Sequence, residues 1–163
     1  MSGTSGSLIA EDIIRGVLDG EAGRATLKVT SSSMRPCIEQ GDSITIRRVA
    51  PRSLLPGDVV VFASDTAGIV VHRLLWRTHP LGQPTHIFTK GDAVACLDRS
   101  VPVDRILGRV DGIIRGEGRF SPTTPLDRVR CLFQAAAYGA RRWFRRRLGP
   151  DGRPRQPENL EHR

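Results

Sequence analysis

Residues 58–76, DVVVFASDTAGIVVHRLLW, carry two apolar runs broken by Ser64, Asp65, Thr66 and Gly68. Short runs rich in Val and Ile, bounded by turn formers, read as β-strands. The same signature recurs outward from them. ATLKVT (25–30) and DSITIRRV (42–49) precede the pair, and THIFTK (85–90) and DRILGRVDGIIR (104–115) follow it. Six short strands are therefore expected. The segments between them, SSSMRPCIEQG, APRSLLPG and HPLGQP, hold the Gly, Pro and Ser that turns require. The fold class this predicts is mainly β (α+β): a compact body of twisted antiparallel strands.

The flanks have a different period. Residues 8–19, LIAEDIIRGVLD, place Leu8, Ile9, Asp12, Ile13, Val17 and Leu18 in a roughly helical pattern ending near Gly20. An N-terminal amphipathic helix is expected within residues 1–23, followed by the strand-rich domain at 24–115. Residues 116–125, GEGRFSPTTP, read as a Gly/Pro linker. Over 126–148, Leu126, Val129, Phe133, Ala136, Ala140 and Trp143 return to helical spacing, and Phe144 lies beside them. The tail at 149–163 is Pro-rich and charged, a composition that favours disorder.

The 163 residues suit one domain with short appendages. The formal net charge is +8, and Lys28 and Lys90 are the only lysines. That balance favours acidic partners. Three cysteines, Cys37, Cys96 and Cys131, are odd in number and lack metal-ligand spacing, so a reducing compartment and no disulfide framework are expected. The first residues, MSGTSGS, carry no positive charge, and no run approaches the ~20 apolar residues of a membrane span. The chain is therefore expected to be cytoplasmic, either soluble or peripheral at the inner membrane surface.

Four segments carry the chemistry: Ser31-Ser32-Ser33-Met34-Arg35-Pro36; Pro56-Gly57-Asp58-Val59-Val60; Val71-His72-Arg73 within a strand; and Thr89-Lys90-Gly91-Asp92, followed by Asp98. A serine hydroxyl becomes a nucleophile when a base takes its proton. Imidazole titrates near neutral pH and suits that task. A carboxylate beyond the ring fixes its tautomer and stabilises the imidazolium. Either Asp98 or Asp92 is a candidate for that place.

In this order, and with Gly41-Asp42 after the serine box, the segments resemble the signal peptidase I superfamily of serine peptidases, to which LexA-type peptidases are related. The nearer branch is the endoplasmic-reticulum and archaeal type, which uses histidine where the bacterial branch uses lysine. The resemblance covers about Val29 to Val110. It implies Ser33 as nucleophile, His72 as general base, Asp98 as third member and Asp92 as a supporting acid. It also implies an oxyanion site from the Ser31 hydroxyl and the Ser33 N–H. A signal peptidase/LexA-type fold, an extended peptide or precursor-protein substrate, an acyl-enzyme, and no metal or cofactor follow from the same resemblance.

Other readings of the same residues stand beside these. Lys90 is an alternative base, although its turn reads as structural. His79 and His86 flank a Pro/Gly turn and read as solvent-facing. Cys37 either lines the substrate groove or fills a small buried space. Ala22-Gly23 resembles the cleavage pair of LexA-type self-cleaving regulators, but lies close to Ser33 for looping back. A non-catalytic peptide-binding module is the other alternative. In the 126–148 helix, Arg141, Arg142, Arg145, Arg146 and Arg147 adjoin Trp143 and Phe144. Such a helix docks on an anionic membrane, or packs its apolar face on the body; nucleic acid is the less favoured partner.

Overall fold

The computed structural model describes residues 3–20, 23–78 and 83–147, with side chains described within 11–137. Ala22, His79 and the 149–163 tail lie outside the described residues, as do the side chains of Arg141 to Arg147. The chain forms helix α1 (Gly3–Asp19), strands β1 (Arg24–Lys28), β2 (Ser43–Arg47), β3 (Val59–Ser64), β4 (Gly68–Arg77), β5 (His86–Lys90), β6 (Val101–Pro102), β7 (Ile106–Arg115) and β8 (Gly118–Phe120), and helix α2 (Pro125–Arg147). All pairings are antiparallel. The strands run β1-β2-β7-β3-β4-β5-β6 across one sheet, with β8 paired to β7. The result is an antiparallel β body with two helices.

All six expected strands form, and the periodicity also accounts for both helices. Two further strands escape it. β6 is two residues long and contains Pro102, which a sheet edge tolerates. β8 lies inside the stretch read as a linker. It closes a two-residue hairpin on β7 through Gly116, whose φ of 57° suits a residue without a Cβ. Residues 118–123 are thus tied to the body by the β8 pairing and by backbone contacts, although most of the stretch is exposed. Thr123 Oγ1 donates to the Gly57 carbonyl, and the Pro122 carbonyl accepts from Arg73.

The apolar run of β3 is buried on both faces, as a strand at mid-sheet must be. Val59 and Val61 join one core with Ile44, Ile46, Leu107 and Ile113. Val60 and Phe62 join a second with Leu54, Leu74, Ile87 and Val101. The first core is closed by α1, through Ile14 and Leu18. Full burial of such side chains contributes about 1.5–3 kcal/mol each. The inward stripe of α1 is therefore Ile14 and Leu18, while Ile13 and Val17, part of the expected apolar pattern, are exposed.

The loop between β1 and β2 is fastened at both ends. Val29 N–H donates to the Asp42 carbonyl, and Gly41 N–H to the Val29 carbonyl. The buried Asp42 carboxylate accepts two hydrogen bonds from Arg115 on β7 and one from the Glu39 N–H. The Arg115 hydrogen bonds hold its carboxyl below the usual range. A depressed folded pKa contributes stability that is complete above the unfolded value, about 4, and is lost as pH falls through the folded value. Arg115→Gln is expected to move the acid-unfolding midpoint, followed by circular dichroism, to higher pH. An unchanged midpoint would show that this pair does not fasten the loop.

Candidate active site

Ser33 sits in that loop, half-buried and inside the tight turn that the Arg35 N–H closes on the Ser32 carbonyl. The next residue, Met34, is buried in the first core, as is Ile38, so the loop is anchored immediately beyond the serine. Its hydroxyl lies 3.4 Å from that of Ser31. The Ser33 carbonyl accepts a 2.9 Å hydrogen bond from the Ala93 N–H, joining the loop to the turn after β5.

His72 is in β4, directly across from Val60 of β3. Only 8% of it is exposed, and Phe62 meets its ring edge-on. His72 Nδ1 is 2.5 Å from Asp98 Oδ2. The same oxygen accepts from the Thr89 hydroxyl at 2.7 Å, and the Asp98 N–H donates to the Thr89 carbonyl. Thr89 is fully buried. A carboxylate held this way keeps the proton on Nδ1 and leaves the Nε2 lone pair free.

His72 Nε2 and the Ser33 carbonyl meet at one glycine. A Cβ on Gly91 would fall 2.9 Å from Nε2 and 2.7 Å from that carbonyl oxygen. Both contacts are closer than real Cβ atoms allow, so the loop and the imidazole approach each other across a position that tolerates no side chain. Ser31, Ser33 and His72 line one cleft, with Val29, Met34 and Val71 among its apolar walls. Among the described residues Ser33 Oγ is hydrogen-bonded to Ser31 and not to His72.

The two acids that the sequence left open are now separated. Successive residues of a strand point to opposite faces, so His72 and the neighbouring Arg73 diverge. Arg73, 4% exposed, pairs with both oxygens of Asp92 at 2.9 and 2.7 Å. It also donates to the carbonyls of Gly57 and Pro122. Burial opposes its charge, but the Asp92 carboxylate outweighs that and raises its pKa above the usual guanidinium value. Asp98 therefore touches the imidazole, and Asp92 holds the arginine beside it.

Lys90 pairs in register with Arg73 and lines the cavity around Arg73 and Asp92, away from the cleft of Ser33 and His72. Cys37 lines that second cavity too, so it does not face the serine cleft; burial pushes its thiol pKa up. His86 contacts the Thr85 hydroxyl at the far end of β5. Sequence reasoning missed Thr89 and Gly91 as site residues. Their signal lay in the Thr-Lys-Gly-Asp segment itself, where strand alternation puts Thr89 on the face opposite Lys90. No family model matches this chain, and no match to it is found among curated proteins.

Gly91→Ala is expected to push the serine loop and the imidazole apart. A lowered melting temperature together with loss of the His72–Asp98 hydrogen-bonded proton signal in NMR would bear this out. A variant matching the wild type in both would show that the close approach is not required.

Proposed function

We propose that this chain is a serine endopeptidase with a signal peptidase/LexA-type fold. The observation that carries the reading is the Asp98–His72 pair, with its free Nε2 turned toward the loop that bears Ser33. The reaction requires Ser33 Oγ to exchange its Ser31 contact for one with Nε2. Hydrogen bonds of this kind are often loose before substrate binds.

In the reaction, Nε2 takes the Ser33 proton as Oγ attacks the scissile carbonyl carbon. The imidazolium is stabilised by Asp98 and gives that proton to the departing amine as the C–N bond breaks. Water then attacks the acyl ester, loses a proton to Nε2 and releases the new carboxylate, and Ser33 is restored. The Ser31 hydroxyl and Ser33 N–H are the donors for the oxyanion. Two strand edges support an extended peptide substrate. β1 pairs with β2 alone among the described residues, and Gly68–Val71 of β4 pair with β3 alone. Both border the cleft, so a peptide can add main-chain hydrogen bonds there.

The test is labelling by a fluorophosphonate probe and cleavage of an unbiased peptide library. Labelling of the wild type and its loss in Ser33→Ala are expected. His72→Ala and Asp98→Asn should lower kcat/KM by about 10²–10⁴-fold while leaving the fold intact. Asp92→Asn is expected to act mainly on the melting temperature. A folded wild type that neither labels nor cleaves would favour a non-catalytic peptide-binding module, and cleavage surviving Ser33→Ala would remove the assignment.

A further inference from the structure

Over residues 126–137 the C-terminal helix turns its large apolar side chains away from the body. α2 begins with a reciprocal cap: the Thr124 N–H donates to Asp127, and the Asp127 N–H donates to the Thr124 hydroxyl. It is then fixed to the body by Arg128, which donates to the Pro56 carbonyl and to buried Asp58. Its inward positions are Asp127, Arg128, Cys131, Gln134 and Ala135. The large apolar side chains point outward, with Arg130 exposed among them. Leu126 is 75% exposed, Phe133 73%, Leu132 58% and Val129 48%. Over the described side chains, 126–137, the alternative in which α2 lays its apolar face on the body is overturned: the capping pair and Arg128 set its rotation, and they hold Asp127, Arg128 and Gln134 inward beside Cys131 and Ala135.

We infer that this face of α2 is a membrane-docking surface that lies in an anionic lipid leaflet. Charge distinguishes this occupant from others. α2 runs on to Arg147, and Arg141, Arg142, Arg145, Arg146 and Arg147 follow the apolar stripe in sequence, with Trp143 and Phe144 among them. Leu, Phe and Trp interspersed with arginines on one helix is the composition of an interfacial helix. A second copy carries the same net charge of +8 and would repel the first, and nucleic acid offers phosphates but no cover for Leu126 and Phe133. The 148–163 segment, LGPDGRPRQPENLEHR, has Leu148 and Leu160 as its only large apolar residues and cannot cover a four-residue stripe. The inference is independent of the peptidase reading.

The experiment is co-sedimentation of the full chain with vesicles of phosphatidylcholine alone and of phosphatidylcholine mixed equally with phosphatidylglycerol. Binding to the mixed vesicles, weak binding to the neutral ones, and release by salt are expected. Leu126→Asp with Phe133→Asp should weaken partition by more than about tenfold. Changing the five arginines at 141–147 to Gln should weaken it by at least about a hundredfold, at roughly fivefold for each cation near the surface. Both variants should melt with the wild type, because the first pair is exposed and neither change touches Arg128. Equal binding to both vesicle types, binding unaffected by the Asp pair, or no binding overturns the inference. So does a dimer in sedimentation velocity, or retention of duplex DNA, found without vesicle binding.

Discussion

A single buried guanidinium ties together the parts that surround the candidate site. Arg73 reaches the turn after β5 through Asp92, the turn before β3 through the Gly57 carbonyl, and the strap before α2 through the Pro122 carbonyl. No two of these segments are neighbours in the sequence. A buried ion pair contributes little net stability against an apolar replacement of the same shape. Losing one partner, by contrast, leaves a charge without compensation, at a cost of about 3–5 kcal/mol. The pair thus acts as a constraint on geometry: every backbone element it touches must remain in place while Arg73 stays charged.

That constraint bears directly on the chemistry because His72 is the adjacent residue. Strand β4 sends Arg73 to one side of the sheet and His72 to the other. The turn that supplies Asp92 to the arginine also supplies Gly91 to the gap beside Nε2, and β5 just ahead of it supplies Thr89 to Asp98. The structural and the chemical sides of one hairpin are therefore coupled through a few backbone atoms. The remaining acids of the recurring motifs serve the same scaffold. Asp42 closes the serine loop against β7, and Asp58 receives Arg128 from α2. Of these acids, Asp98 is the one in contact with the imidazole.

Much of the architecture was legible in the order of residues. Strand and helix periods are local properties, repeated over several residues, and they survive any tertiary arrangement. The longer strands are legible for this reason, and β6 and β8 are not, because two or three residues carry no period. The inward face of α1 is not legible in the sequence, since Ile13, Ile14, Val17 and Leu18 are all apolar and only packing decides which pair turns in. The rotation of α2 was illegible for the same reason in stronger form. Its apolar stripe is outward because Asp127 faces Arg73 and Arg128 reaches Asp58 on the body.

For the candidate site, side-chain chemistry pointed to a serine, a histidine and a carboxylate, and the resemblance of the segments to a known superfamily implied Ser33, His72, Asp98 and Asp92. Which acid meets the imidazole was a tertiary matter. Asp92 and Asp98 lie six residues apart on one connection, and the choice depends on which face of β4 each returns to. The Ser33 carbonyl and His72 Nε2 both border Gly91, and a buried arginine holds that glycine's turn against the sheet through Asp92. Sequence carries the identity of the groups; the distances between them arise from contacts among segments remote along the chain, which no local pattern encodes.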